Sequence, residues 1–382
     1  MTALPPLSLY VHIPWCVRKC PYCDFNSHRV QEQLPERDYV AALERDLIAD
    51  LELVQGRAVQ TIFFGGGTPS LFSADAIGTI LELVARHLTL ADSLEVTLEA
   101  NPGTVEQSKF IGYWQAGVNR LSIGVQSFQA AQLQALGRIH SGAEAQVAIA
   151  AAQKAGFEHI NIDLMHGLPG QTPTEARADL ETAAAFGVDH ISWYQLTIEP
   201  NTQFYSQPPL LPNDDALADI QDLGAEFLAA NGWRQYEVSA FARAHGECRH
   251  NINYWRFGDY LGIGAGAHGK ITDAATGAIS RRWKTRLPEH YLQSVKPLAG
   301  ESVIARQQQL LEFCMNALRL VDGVELALVA ERTGQPFPGP LLKRLQSQGL
   351  LQLGDERLVA TPLGFRFLNS LLAEISDYQP TG

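Results

Sequence analysis

The sequence is poor in cysteine and contains no long apolar run, and both shortages restrict what the chain can be. Its 382 residues include five cysteines, an odd number that argues against a disulfide framework. Cys248 and Cys314 stand alone, which is typical of small buried side chains. No stretch approaches the roughly 18 apolar residues of a membrane-spanning helix, and the first residues do not resemble a signal peptide. We therefore expect a cytoplasmic protein with reduced thiols.

Basic residues are also scarce. The chain has 29 Lys and Arg against 41 Asp and Glu, which gives a formal net charge of -12. Such a chain lacks the extended basic surface that binding to phosphates requires, so nucleic acid is not an expected partner. The apolar fraction of 46% is ample for a large core and a smaller one. The length and composition together predict about two domains.

What the sequence does contain is a regular alternation of β-rich runs and helical stretches from residue 7 to about 200. The predicted strands are 8–13, 61–64, 94–98, 120–125, 159–164 and 190–194. The chain between successive strands is long enough for a right-handed crossover helix, so the strands should be parallel. Capping-box patterns mark three helix starts, at 104–107, 141–144 and 172–175. Six βα units fall short of the eight of a closed TIM barrel, so we predict an α/β fold with a partial (β/α)6 barrel.

From about residue 301 the pattern changes. Helical runs over 305–320, over 325–333 and near 340–345 precede a hairpin made of 350–353 and 357–360. Three helices and a hairpin are typical of a winged-helix-like α+β domain. Its third helix offers only Lys343 and Arg344 as cations, which favours a packing or partner role over DNA binding. We predict three regions: a barrel core over 1–235, a connecting segment over 236–300 and the C-terminal domain over 301–382.

Three of the cysteines, Cys16, Cys20 and Cys23, lie together directly after the first predicted strand. Three thiolates on one short loop can hold three irons of a cubane cluster and leave the fourth iron open to another ligand. The alternative is a structural zinc site, which needs a fourth ligand that His12 or His28 would have to supply. The ligand count favours the cluster.

The Cys-x3-Cys-x2-Cys loop after the first strand of a partial barrel resembles the radical S-adenosylmethionine (radical SAM) superfamily. Segments 10–16, 65–69, 99–102, 124–127 and 163–172 resemble its coproporphyrinogen-oxidase-like branch, across nearly the whole chain. The resemblance implies a [4Fe–4S] cluster on the three cysteines, with S-adenosylmethionine on the open iron as the source of a 5′-deoxyadenosyl radical. The residues that it implies for the S-adenosylmethionine pocket are Tyr10, Tyr22, Gly66, Gly67, Thr68, Glu99, Gln126, Arg138, Asp163 and Thr197.

Within this branch, three features resemble the heme chaperones more than the oxygen-independent coproporphyrinogen III oxidase. The oxidase has a further cysteine where this chain has Phe25, and a long N-terminal extension where this chain has nine residues before Tyr10. Residues 250–255 match the H-N-x-x-Y-W motif of the chaperones. The resemblance implies that this motif contacts heme, either with His250 as an axial ligand or by shaping the pocket alone. The motif residues concerned are His250, Asn251, Tyr254 and Trp255.

The sequence therefore predicts a heme chaperone that carries a [4Fe–4S] cluster and S-adenosylmethionine and transfers heme to apo-hemoproteins such as respiratory enzymes. The rival is a radical SAM enzyme that acts on a porphyrin, either the coproporphyrinogen III oxidase or a heme-modifying methyltransferase. No catalytic residue is assigned, and whether the protein is an enzyme stays open. The resemblance also leaves open bacterioferritin as a heme donor, a homodimer and transient membrane association. His268, in a glycine-rich turn, receives no role.

Overall fold

A computed structural model describes residues 4–31, 33–103 and 107–378, and its main element is a sheet of twelve strands. The strands are β1 (Leu7–Ile13), β2 (Trp15–Cys16), β3 (His28–Arg29), β4 (Val59–Gly66), β5 (Leu90–Ala100), β6 (Arg120–Gln126), β7 (His159–His166), β8 (His190–Gln195), β9 (Arg234–Glu237), β10 (Ala240–Ala242), β11 (Asp259–Ile263), β12 (His268–Thr272), β13 (Ile279–Lys284), β14 (Leu298–Val303), β15 (Val324–Glu325), β16 (Leu351–Gly354) and β17 (Arg357–Ala360). The helices are α1 (Glu36–Ala49), α2 (Ala74–His87), α3 (Phe110–Ala116), α4 (Ala130–Ala135), α5 (Gly142–Ala155), α6 (Pro173–Ala185), α7 (Gln203–Ser206), α8 (Asp214–Ala230), α9 (Arg249–Trp255), α10 (Pro288–Gln293), α11 (Arg306–Ala317), α12 (Leu326–Thr333), α13 (Gly339–Ser347), α14 (Pro362–Arg366) and α15 (Leu368–Ser376).

Parallel strands form the centre of the sheet, in the order β11-β1-β4-β5-β6-β7-β8. The six predicted strands are β1, β4, β5, β6, β7 and β8, and they follow one another in space as they do along the chain. The sheet does not close on itself, because β8 pairs with β10 and β1 pairs on its outer side with β11. The predicted partial (β/α)6 barrel is therefore confirmed.

Local sequence explains much of this framework. Alternate residues of β1 from Leu7 to Ile13 are fully buried, and Ser8 on its other face is buried as well, as expected of a parallel strand covered on both sides. The capping box at Ser141 is formed, since Ser141 N donates to Glu144 Oε2 at 2.7 Å and Glu144 N donates to Ser141 Oγ at 3.2 Å. The box at Thr172 is formed in the same way. The box predicted at 104–107 lies mostly outside the described residues.

The segment predicted as a connection, 236–300, adds strands to the same sheet. The strands β12, β13 and β14 continue it antiparallel beyond β11. Buried ion pairs hold this extension to α1, because Lys284 Nζ donates to Asp46 Oδ1 at 2.5 Å and to Asp50 Oδ2 at 2.6 Å. The extension places a second wall beside β1, next to the carboxyl ends of the parallel strands.

The C-terminal region has a core of its own, which includes Phe313, Leu328, Leu341, Leu358 and Leu371. The helices α11, α12 and α13 pack with a small sheet of order β15-β17-β16, which is the winged-helix-like arrangement predicted from the sequence. None of the helices in the described ranges combines the length and the apolar character that crossing a bilayer requires.

Candidate cluster and cofactor site

The predicted cluster loop begins where β1 ends and is closed by its own backbone hydrogen bonds. Cys23 N donates to Cys20 O at 3.1 Å, and Val30 N donates to Cys16 O at 3.0 Å. Asn26 fixes the far side of the loop, because its Nδ2 donates to Ala265 O at 3.0 Å and to Arg286 O at 2.9 Å. The three predicted ligands therefore lie on one short, braced loop.

All three thiols line a single cavity of about 280 Å³ at the carboxyl ends of the barrel strands. Eight of the ten residues predicted for S-adenosylmethionine line it too: Tyr22, Gly66, Gly67, Thr68, Glu99, Gln126, Arg138 and Asp163. Tyr10 lines a different cavity beside β1. Thr197 is exposed on the loop after β8 and does not line the cluster cavity. Cys248 and Cys314 are buried away from it, as expected.

The glycines at the end of β4 allow that strand to approach the cluster loop closely. Gly66 has φ +123°, and a Cβ on it would lie 2.8 Å from Ile13 O. A Cβ on Gly67 would lie only 2.4 Å from Trp15 O. The close approach permits two backbone hydrogen bonds, from Gly67 N to Ile13 O at 2.8 Å and from Thr68 N to Trp15 O at 2.7 Å. Glycine is required here to dock the loop on the strand.

Two half-buried carboxyl groups, Glu99 of β5 and Asp163 of β7, line the cavity. Burial and then the nearby charge of Asp163 raise the pKa of Glu99 to about 8, although Gly66 N donates to Glu99 Oε2 at 3.3 Å. Burial also raises the pKa of Asp163, against hydrogen bonds of 2.8 Å each from Ser122 Oγ and Asn161 Nδ2. Two carboxyl groups that line one cavity and repel each other electrostatically favour a cationic ligand or hydrogen-bond donors between them.

Several polar residues of this cavity were not predicted from the sequence, among them Asn101 and Tyr194. Asn101 Nδ2 donates to Thr68 Oγ1 at 2.9 Å, and its Oδ1 accepts from Arg138 Nη2 at 2.8 Å. Tyr194 OH donates to Gln126 Oε1 at 2.6 Å, and Gln126 itself has a strained φ of +69°. Both missed residues end or follow a strand, so the strand-end rule contained the signal for them.

Arg138 brings a positive charge beside the thiols. Its Nη1 lies 3.7 Å from Cys20 Sγ, and its Nη2 donates to Gly124 O at 2.6 Å. Its Nε is buried and has no hydrogen-bond partner within the described part of the chain. The cavity thus presents three thiols on one loop, an adjacent guanidinium with an unused donor and two half-buried acids. This donor set fits a [4Fe–4S] cluster with a cationic cofactor.

A second cavity of about 790 Å³ lies beside the first and is walled by aromatic rings. Tyr254 and Trp255 of the H-N-x-x-Y-W motif line it, together with Trp283 from β13. Phe25, whose side chain is 61% exposed, lines both cavities. The motif and the cluster loop thus border the same space.

His250 of the motif is 1% exposed and lies inside the protein, behind this wall. Thr61 Oγ1 donates its single hydrogen to Ser8 Oγ. Thr61 Oγ1 therefore accepts a hydrogen bond from His250 Nδ1 at 2.7 Å. The other ring nitrogen, His250 Nε2, then accepts from Tyr254 OH at 3.0 Å. Burial lowers the pKa of His250 to about 3, so the ring is neutral. Both ring nitrogens are occupied, and Asn251 is half-buried on the same helix.

Comparisons with known proteins agree with this geometry. Residues 10–183 match the family described as the Radical SAM superfamily, and residues 304–367 match the HemN C-terminal domain. The structure is similar to that described as coproporphyrinogen III oxidase (HemN) from Escherichia coli, a radical SAM enzyme, with a TM-score of 0.82 over 98% of this chain and 91% of that one, at 24% identity. Fold and site therefore define a radical SAM protein with a HemN-type C-terminal domain.

Relatives with similar sequences show to which family of radical SAM proteins the chain belongs. The protein named heme chaperone HemW from Escherichia coli K12 is 50% identical over 97% of this chain and 98% of its own. The protein of the same name from Haemophilus influenzae is 52% identical over 97% of this chain and 98% of its own. The chain belongs to the HemW family of heme chaperones.

Proposed function

We propose that this chain binds heme, carries a [4Fe–4S] cluster and S-adenosylmethionine, and transfers heme to apo-hemoproteins such as respiratory enzymes in the cytoplasm. The observation that carries the proposal is the position of a large aromatic cavity directly beside the thiol-lined cavity, with Phe25 in the wall of both. The names of the relatives, heme chaperone HemW, support heme as the cargo.

Cys16, Cys20 and Cys23 would ligate three irons of the cluster. When bound, the cluster would supply an electron to S-adenosylmethionine held at its fourth iron. Glu99 and Asp163 supply negative or hydrogen-bond-accepting groups for the positive end of that cofactor. Asn101 and Arg138 stay bonded to each other beside the loop, which keeps the polar wall in place before any ligand arrives.

Alanine at any of the three loop positions should abolish cluster assembly, because each removes one of three thiolate ligands. Cys248→Ala is the matched control, since that thiol is buried beside Glu95 and lines neither cavity. Iron and sulfide analysis after anaerobic reconstitution measures the result. Full cluster occupancy in the Cys20→Ala protein would contradict the assignment.

The larger cavity suits a flat apolar cargo. Its volume of about 790 Å³ lies within the roughly 300–1,000 Å³ of ligand sites in general. Tyr254, Trp255 and Trp283 offer ring faces and edges to a macrocycle. His250 does not reach this space in the structure, so its two interior hydrogen bonds favour the interpretation in which the motif shapes the pocket and His250 positions Tyr254.

The rival function is a radical SAM enzyme acting on a porphyrin, and it shares the fold. A side-by-side anaerobic assay separates the two: the reconstituted protein is offered heme and coproporphyrinogen III. We expect a heme spectrum and no oxidative decarboxylation, since Phe25 stands where the oxidase has a further cysteine. Formation of protoporphyrinogen IX above a no-enzyme control, with reductant and S-adenosylmethionine present, would favour the oxidase instead.

A further inference from the structure

One face of the sheet extension carries the polar groups of the larger cavity. In the β12–β13 pair, His268 lies opposite Trp283, and Lys270 lies opposite Arg281. Directly opposed residues of an antiparallel pair project from the same face of the sheet. All four side chains line the cavity. A histidine, two cations and a tryptophan are therefore presented together to the space beside the cluster loop.

Two histidines line this cavity, and their ring nitrogens differ in availability. Tyr10 OH bonds to His12 Nδ1 at 3.0 Å, and His12 Nε2 donates to Asn26 O at 2.9 Å, so His12 has no nitrogen to offer. His268 is exposed and has no side-chain hydrogen bond to any residue that the structure describes. Partial burial, followed by the charges of Arg281 and Arg286, lowers the pKa of His268, which leaves its imidazole neutral at neutral pH. A neutral imidazole is a good ligand for heme iron.

The cations of the cavity also differ in availability. Lys270 Nζ donates to Asp259 Oδ1 at 2.8 Å, and Arg281 is paired with Glu312. Arg286 lines the cavity, is exposed, and has no carboxylate partner among the described residues. An unpaired guanidinium at the rim of an aromatic cavity is suited to a carboxylate on the edge of a flat ligand.

We propose that His268 is the axial ligand of heme iron in this cavity, with Trp283 against the macrocycle and Arg286 paired with a propionate. The assignment rests on the proposed function, because it presupposes that the chain binds heme. It uses residues outside the H-N-x-x-Y-W motif and gives His250 a positioning role behind the wall.

The test titrates the reconstituted full-length protein with ferric heme under anaerobic conditions and records absorption and electron paramagnetic resonance spectra. His268→Ala should weaken heme binding at least on the order of tenfold and change the spin-state signature. Addition of free imidazole to a His268→Gly protein should restore the spectrum of the unmodified protein. His290→Ala, an exposed histidine outside the cavity, is the matched control and should change nothing.

Unchanged affinity and spectrum in the His268→Ala protein, while the unmodified protein binds heme, would overturn this assignment and leave the proposed function standing. Failure of the unmodified protein to bind heme would overturn both. Cluster content and thermal unfolding of each variant show that the change is local. Weaker heme binding in His250→Ala with the axial signature retained would support a positioning role for His250.

The propionate contact has a separate test. Arg286→Gln should weaken heme binding about two- to fivefold, as expected for an exposed ion pair, and should leave binding of heme dimethyl ester unchanged, because that ligand lacks the two carboxylates. Arg37→Gln, an exposed arginine outside the cavity, is the control. Equal effects of Arg286→Gln on both ligands, or no effect on either, would overturn the propionate contact.

Discussion

Replacing Lys284 by methionine tests the buried ion pairs that hold the sheet extension to the barrel. The Lys284 side chain is 2% exposed, and its ammonium group bridges the carboxylates of Asp46 and Asp50, whose side chains are 0% and 5% exposed. Without it, Asp46 keeps two donors, Gly264 N at 3.1 Å and Tyr291 OH at 2.8 Å, but no cation. Removing one partner of a buried pair costs about 3–5 kcal/mol.

The loss should fall near the lower end of that range, about 3 kcal/mol, because Asp50 keeps Arg282 at 3.3 Å. It should also depend on pH. Burial already raises the pKa of Asp46 although Lys284 opposes the shift, so the Lys284→Met change should raise it further. A carboxyl with a raised folded-state pKa stabilises the fold below its unfolded-state pKa of about 3.9, and this contribution is lost as the pH rises through the folded-state value. The destabilisation should therefore be larger at about pH 8 than at about pH 5.

Urea denaturation followed by tryptophan fluorescence is a suitable assay, because all six tryptophans precede residue 301 and Trp255 alone of them packs against the C-terminal core within the described residues. Lys343→Met, an exposed lysine in the C-terminal domain, is the matched control and should leave this transition unchanged. Adding Asp46→Asn to Lys284→Met should recover part of the lost free energy of unfolding. A loss below about 1 kcal/mol, the size of an exposed ion pair, or a double variant no more stable than the single one would refute the reasoning.

Two further changes test the packing and the site. Gly224→Ala in α8 should destabilise the barrel by about 1–3 kcal/mol or more, because the added Cβ would lie 1.8 Å from the ring of Trp193. The control is Gly78→Ala in α2, whose Cβ would make only an ordinary contact at 3.5 Å. Equal urea midpoints for the two variants would contradict this prediction. Asn101→Ala should weaken S-adenosylmethionine binding about fivefold, the effect of a lost hydrogen bond near 1 kcal/mol. Thr197→Ala, which changes a residue outside the cavity, should leave S-adenosylmethionine binding unchanged. Calorimetric titration of the reconstituted protein measures both affinities, and a larger loss in Thr197→Ala than in Asn101→Ala would count against the site.

The order of the barrel strands was predictable because it follows from local signals. The runs at 61–64 and 94–98 are the centres of β4 and β5, and each crossover helix fills the chain between two strands. No local sequence pattern indicates that β11 pairs with β1, because this pairing joins Leu7 to Asp259, which are separated by most of the chain. The segment 236–300 was therefore predicted as a connection although it extends the sheet.

The residues of the candidate site also divide into those that local sequence predicts and those whose position depends on contacts between distant parts of the chain. Glu99 was predictable from its place at the end of β5, and Asn101 could have been found by the same rule. Asp163 lies inside β7, which extends three residues beyond it. The interior position of His250 was not predictable, because its partner Thr61 lies on a strand 189 residues earlier in the chain. A motif with a histidine beside aromatic residues has the same appearance whether the imidazole faces a ligand or the core.

Asn26 has a consequence for how the two cavities communicate. Its side chain bonds to the backbone at Ala265 and Arg286, which lies at the rim of the aromatic cavity, and its carbonyl accepts from His12. The thiol loop and that rim are therefore held by the same side chain. A ligand that displaces Asn26 from one cavity would change the free energy of ligand binding in the other. Such coupling is reciprocal, by the same factor in both directions. If the chain binds the cluster and heme as proposed, a substitution at Asn26 should therefore change the affinity for both.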